Sequence, residues 1–309
     1  MPPALAGEIM TPAPLAIFAY RRPQHLERCL YSLSCDTQAQ NSEVHIFCDG
    51  AKSQSDAAAV AETRRIARTA SGFRAVHVVE QAENRGLANS VISGVSDLCE
   101  RHGRVIVVED DLFVAPCFLS YMNDALERFV SEGRVMQIAG YTFPIEPSYR
   151  NKSVLLPFIS SWGWATWQRA WRHFDPSMRD HAALAKSARL RRRFDLDGSY
   201  DYFAMLERQL RGEIDSWAIR WHLSCFMRNG LTLYPGTTLV HNLGFDGSGT
   251  HTGPGNTYPV VPDLPAADHR FAFPTKLRTD EKAFDQVKRV LRPAPKSIGA
   301  IKRITDIWR

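Results

Sequence analysis

Three adjacent carboxylates, Glu109, Asp110 and Asp111, are the side chains of this sequence best arranged to do chemistry. They follow Val105-Ile-Val-Val108, four β-branched apolar residues that read as a strand buried on both faces, as in the middle of a parallel sheet. Adjacent acids repel one another, so three at the end of such a strand make sense mainly if a cation offsets the repulsion. Hard carboxylate oxygens suit Mg²⁺ or Mn²⁺, which in turn bind phosphate oxygens. A solvated acidic turn is the alternative, and the buried strand just before the triplet favours the metal.

Two other stretches carry possible chemistry. Four tryptophans lie between Trp162 and Trp171, and Trp167 and Trp171 have the i, i+4 spacing of one helix face. They read as core packing or as a platform on which sugar rings stack, with Trp162 and Trp164 the candidates for the platform. The loop from His241 to His251 is polar, and Gly244, Gly247, Gly249 and Gly253 allow close backbone approach, as a lid over phosphates would require. A flexible surface loop is the plain alternative.

The elements that must position these residues are legible as an alternation. Leu15 to Ala19 reads as a strand, with Pro23 opening a helix that carries Leu26, Leu30 and Leu33 at helical spacing. Val44 to Cys48 is a second strand ending at Asp49-Gly50, followed by a helix from about Ser55 to Ala70. Ala75 to Glu80 is a third, followed by Asn84-Arg-Gly-Leu-Ala-Asn89 and a helix with Val91, Val95 and Leu98. The strand before the acids is the fourth, and a helix over 117–131 and a strand over 135–140 continue the series. Strands and helices at this spacing predict an α/β fold, a Rossmann-like, mostly parallel central sheet flanked by helices. Ligands of such sheets bind beyond the carboxyl ends of the strands, which puts Arg22, Asp49, Asn84 and the acidic triplet on one rim.

After Tyr141 the alternation weakens. Leu155 to Ile159 is a further candidate strand, helices are expected over 200–210 and 216–228, and short strands over 232–234 and 239–240. The tail from Lys288 is basic, with Ile298, Ile301, Ile304 and Trp308 at helical spacing, which suits either peripheral contact with an anionic membrane or packing on the domain.

Composition narrows the class. With 44% hydrophobic and 23% charged residues the chain is that of an ordinary folded enzyme rather than a disordered one. A net charge of +5 over 309 residues is too small and too scattered to point to nucleic acid. Six cysteines without a C-x-x-C pair imply neither zinc site nor disulfide framework, and with no secretory leader or long apolar run the expected location is the cytoplasm. No G-x-x-x-x-G-K-[ST] and no G-x-G-x-x-G after the first strand exist, which sets aside P-loop and dinucleotide-binding readings.

Taken in order, Tyr20-Arg-Arg-Pro23, Asp49, Asn84-Arg-Gly-Leu-Ala88 and Val-Val-Glu109-Asp-Asp111 resemble a GT-A fold glycosyltransferase. More closely, the chain resembles N-acetylglucosaminyltransferase I and its bacterial relatives. Leu112-Phe-Val-Ala-Pro-Cys-Phe118 follows the acids as in that family, and Trp162-Gly-Trp164, Asp215-Ser-Trp217 and the Gly-rich loop after Pro235 match its later segments. The resemblance implies that Asp111 ligates Mn²⁺ or Mg²⁺ bridging the phosphates of a nucleotide-sugar donor. Asp110 would approach the ribose, Glu109 the donor sugar, Asp49 the uracil, and Arg22 and Asn84 the nucleotide. Asp215 would be the catalytic base, and Gly244, Gly247, Ser248 and Gly249 would close over the donor. The late loop departs from the family in carrying Asp246, His241 and His251 in place of basic residues. The expected organisation is a nucleotide-sugar-binding half over 1–140, an acceptor-binding and catalytic half over 141–265 and a basic tail over 266–309. Two other readings are a sugar-1-phosphate nucleotidyltransferase, which would need a Gly-rich loop after the first strand, and a carbohydrate-binding protein without catalysis, against which the intact acids count.

Overall fold

A computed structural model describes residues 11–244 and 264–292. In chain order the elements are β1 (Leu15–Ala19), α1 (Pro23–Ser34), β2 (Glu43–Cys48), α2 (Ala57–Arg68), β3 (Ala75–Glu80), α3 (Leu87–His102), β4 (Arg104–Glu109), β5 (Leu112–Val114), α4 (Phe118–Arg128) and β6 (Val135–Ala139). They continue with β7 (Ser153–Leu156), β8 (Trp164–Trp167), α5 (Gln168–Trp171), α6 (His181–Ala185), α7 (Ala188–Phe194), α8 (Tyr202–Leu210), α9 (Trp217–Phe226), β9 (Leu231–Pro235), β10 (Val240–Asn242) and α10 (Glu281–Leu291).

Eight strands form one sheet in the order β3-β2-β1-β4-β8-β6-β9-β7. Pairing is parallel from β3 through β4, so the expected α/β fold with a mostly parallel, helix-flanked sheet is what the chain adopts. The continuous apolar runs explain the middle of the sheet. Every residue of β1 and all of Val105 to Val108 are buried, which requires cover on both faces, whereas the edge strand β3 is half-exposed. The alternation predicted nothing of β8, which runs antiparallel between β4 and β6. Trp167 ends that strand instead of sharing a helix face with Trp171, which belongs to the one-turn α5.

Two features of the topology position the site. The chain moves outward from β1 to β2 to β3 and then returns through α3 to place β4 on the other side of β1. The crevice beyond the carboxyl ends of β1 and β4 is therefore the point where strand order reverses, the ligand position of open α/β sheets. In register, Phe18 of β1 lies beside Glu109 of β4, so Tyr20 to Arg22 emerge next to the acids. A two-stranded ribbon, β5 with β10, then brings Asn242 opposite Leu112 and turns the chain back over that crevice.

The helix α10 begins before Lys288, and its Ala283, Phe284, Val287 and Leu291 are buried against the domain. Residues 293–309, on which the amphipathic membrane reading fell, lie outside the described residues. Among the described residues no helix is long and apolar enough to cross a membrane.

Candidate nucleotide and metal site

The acids at the end of β4 are tied to β1 by backbone and side chain. The Asp110 N–H donates to the Phe18 carbonyl at 3.0 Å, and the Tyr20 N–H donates to Asp110 Oδ2 at 3.0 Å. Arg22 bridges the pair: one terminal nitrogen donates to Asp110 Oδ1 and the other to Asp111 Oδ2 at 3.0 Å. Burial works against the Arg22 charge, but Asp110 and Asp111 outweigh it and hold the guanidinium above its ordinary range. Burial also pushes the Asp110 and Glu109 carboxyls upward, as does repulsion within the triplet, and Arg22 opposes both shifts. Arg22, Glu109, Asp110 and Asp111 are thus brought together at the end of β4.

Asp111 is the acid left with capacity. It is 8% exposed, and its Oδ1 is buried without a hydrogen-bond partner among the described residues. An ionised oxygen stranded in this way is costly unless something positive completes it. Its other oxygen is packed against the returning chain: a Cβ on Gly244 would lie 2.3 Å from Asp111 Oδ2, so any side chain there would displace the carboxylate. The Leu243 N–H donates to the Asp111 carbonyl at 2.7 Å, and Asn242 Oδ1 accepts from the Gly244 N–H at 2.7 Å, which fixes the approach. Among the described residues the three acids do not converge as a cage of protein ligands. One carboxylate oxygen, with water and phosphate completing the shell, is how Mg²⁺-like ions are held beside a nucleotide. The residues therefore fit a hard divalent cation.

Asp49 and Asn84 come together, but both Asp49 oxygens and the Asn84 amide nitrogen are already engaged. Asp49 Oδ1 accepts from the N–H groups of Gly50 and Arg85 at 2.9 and 2.8 Å. Its Oδ2 accepts from Asn84 Nδ2 and the Gly86 N–H at 3.1 and 2.9 Å. Asn84 Nδ2 also donates to the Gly50 carbonyl at 2.9 Å. Four accepted bonds use the capacity of a carboxylate, so Asp49 holds the turn that starts α3 and has no lone pair left for a base. A Cβ on Gly50 would meet the Glu83 backbone at 2.3 Å, which makes Asp49-Gly50 and the 83–86 turn one packed unit. The group this unit presents is Arg85, on a cleft shared with Asn89, Ile92 and Ser93. Sequence reasoning quoted Arg85 within its motif without singling it out; a basic residue just before a helix start was the available signal.

The tryptophans divide. Trp164 is 1% exposed and stacks on Trp217 at 4.9 Å and 20°, with Trp171 at 5.8 Å. Its assignment as a sugar platform is therefore corrected: its ring is covered by other indoles and belongs to the core. Trp162 is buried too, at 8% exposure, but packs edge-on against Tyr141 at 4.7 Å.

Asp215 is exposed and ion-paired with Arg220. It does not cap α9, because Ser216 does, accepting from the Ile219 N–H. Its placement follows from the indole stack. Trp164 begins β8 opposite Val107, two residues before Glu109, and Trp217 on Trp164 begins α9. The indole contact thus ties the start of α9 to the end of β8 that pairs with Val107. His241 is half-buried in the ribbon opposite Phe113, and burial lowers its pKa. Gly247, Ser248, Gly249 and His251 lie outside the described residues.

No family model matches the chain, and no curated protein sequence matches it. Among solved structures it is similar to the mannosyltransferase PcManGT from Pyrobaculum calidifontis in complex with GDP-Man and Mn²⁺, at 20% identity and a TM-score of 0.36, over 51% of this chain and 45% of that one. It is similar to S. aureus TarS at 12% identity and a TM-score of 0.40, over 75% of this chain and 36% of that one. For the TarS 1-349 structure the identity is 11% and the TM-score 0.39, over 74% and 59%. The chain thus spans between 36% and 59% of the length of these structures. Likeness at this level carries no functional weight, and the assignment rests on the chain's own residues.

Proposed function

We propose that this protein is a metal-dependent, inverting glycosyltransferase that moves a sugar from a UDP-sugar, with UDP-N-acetylglucosamine the first candidate, to a hydroxyl of a glycan, glycolipid or glycoprotein. The observation that carries the reading is the buried Oδ1 of Asp111 at the strand-order reversal, without a hydrogen-bond partner among the described residues, with glycine backbone packed on the other oxygen. The closer relation to N-acetylglucosaminyltransferase I is part of this reading and rests on the motifs alone.

Loss of a nucleoside diphosphate builds negative charge on the leaving oxygen, and a divalent cation supplies the neutralising charge when bound. Asp111 would hold that ion through Oδ1. Asp110, held by Tyr20 and Arg22, sets the loop after β1, and its carboxylate faces protein rather than ribose. Arg22 supplies a second positive charge beside the diphosphate, and Glu109 borders the donor sugar. Arg85, presented by the Asp49 turn, would contact the nucleotide. Asp215 takes the proton of the acceptor hydroxyl as it attacks from the face opposite the leaving group, which inverts the anomeric carbon. Residues 1–140 would serve the donor and 141–265 the acceptor, with Gly244 to Gly249 closing over the pyrophosphate. All six cysteines are free thiols, five of them buried, which suits a reducing compartment such as the cytoplasm. Contact of the 266–309 tail with a membrane surface is proposed only for its part beyond α10.

A thermal-shift screen of UDP- and GDP-sugars with and without Mn²⁺ tests the class. A rise in melting temperature with a UDP-sugar that requires Mn²⁺ is expected. No rise with any nucleotide-sugar, or one indifferent to metal, would overturn it.

A further inference from the structure

A second group of ligand-bearing side chains lies toward the amino ends of β2 and β3, away from the acidic rim. Glu43 and His45 are two apart on β2 and so share one face of the sheet. His45 pairs in register with His77 of β3, which brings His77 onto the same face, and the two rings stack at 4.6 Å and 18°. One ligand atom from each of Glu43, His45 and His77 lies within 4.8 Å of the other two. His45 is 4% exposed, and its Nε2 is buried with no hydrogen-bond partner among the described residues. A buried ring nitrogen of that kind needs an explanation, because protein or water normally satisfies such groups.

We propose that Glu43, His45 and His77 form a second metal site, selective for a Zn²⁺-class transition ion and separate from the hard-cation site at Asp111. Two imidazoles and a carboxylate are the donor set of three-ligand zinc sites, which leave the fourth position to water. Imidazole also discriminates the two centres, since Mg²⁺ prefers oxygen and Zn²⁺ accepts nitrogen. Zinc bonds of about 2.0–2.2 Å place tetrahedral ligands roughly 3.4 Å apart, so the three atoms must close by up to about 1.4 Å, and because an imidazole binds a metal in its ring plane the exposed His77 ring turns out of its stack on His45 to do so. Arg74 donates to one Glu43 oxygen at 2.8 Å, which orients the carboxylate and leaves its other oxygen for the ion. The charges facing the group are Arg74, Arg101 and His102, whose ring lies edge-on to His45 at 6.0 Å. A bound ion would clip the half-exposed edge strand β3 to β2. The proposal goes beyond the transferase reading and does not depend on it.

The test uses the untagged full chain, stripped of metal, with excess Mg²⁺ present to fill oxygen-only sites. Co²⁺ is titrated with its visible ligand-field absorption as the signal, and Zn²⁺ is added to displace it. The expected result is one Co²⁺ per chain, displaced by Zn²⁺, with a higher melting temperature in Zn²⁺. His77→Ala and Glu43→Gln, both away from the core, are each expected to weaken Co²⁺ binding by about tenfold or more while melting normally without metal. Absence of Co²⁺ absorption in the parent chain, or unchanged affinity in either variant, would overturn the site.

Discussion

At the scale of single residues, the site depends on how Asp110 and Asp111 divide their oxygens. Asp110 spends both of its oxygens on Tyr20 and Arg22, whereas among the described residues one Asp111 oxygen is buried without a partner. Adjacent acids of the same type thus have different work, one holding a loop and the other open to a cation. Gly244 guards this arrangement. In Gly244→Ala the new methyl would contact Asp111 Oδ2 at 2.3 Å and push the carboxylate aside. We expect Mn²⁺ affinity, read by isothermal titration, to fall by about tenfold or more with little change in melting temperature, since an outer contact of a metal ligand is what is lost. Unchanged affinity would mean that Asp111 is not the ligand. Asp215→Asn keeps shape and removes basicity. Its turnover should fall by about 10²- to 10⁴-fold at near-constant donor KM, and turnover near the parent rate would leave Asp215 with only its Arg220 ion pair.

Among the elements, β8 and α9 matter most to the site, and the indole stack joins them. Trp164 and Trp217 join the start of α9 to the end of β8 that pairs with β4. Trp164→Ala would open a cavity within the stack and should cost about 3–5 kcal/mol in chemical denaturation. A sugar platform would instead lose acceptor affinity at unchanged stability, so the two measurements separate the roles. Five of the first six strands, β1 to β4 and β6, and the helices between them up to α4, were legible in the sequence because apolar runs and helical spacings there are local signals, whereas β5 was too short to show. The antiparallel insertion of β8 was not, because Trp164-Ala-Thr-Trp167 has no alternation and its partners β4 and β6 are distant in sequence. In the same way the hydrogen bonds that tie Asp49 to Asn84 and to the 85–86 backbone needed coordinates: a motif gives residue types, not which lone pairs are spent.

For the whole molecule, the strand order decides where chemistry can occur. The reversal between β1 and β4 opens one crevice, and the chain delivers Arg22, the acidic triplet and the Gly244 turn to it from three separate segments. The His45 cluster stands on the same sheet near the opposite strand ends, so one scaffold separates oxygen and nitrogen donor sets. The central claim is that a cation joins Asp111 to a diphosphate in that crevice. The most direct measurement is anomalous diffraction from a crystal soaked in Mn²⁺ and UDP. The account predicts a manganese peak within bonding distance of Asp111 Oδ1 and of phosphate oxygens, beyond the carboxyl end of β4. A crevice holding neither metal nor nucleotide, or UDP bound away from Asp111, would contradict it.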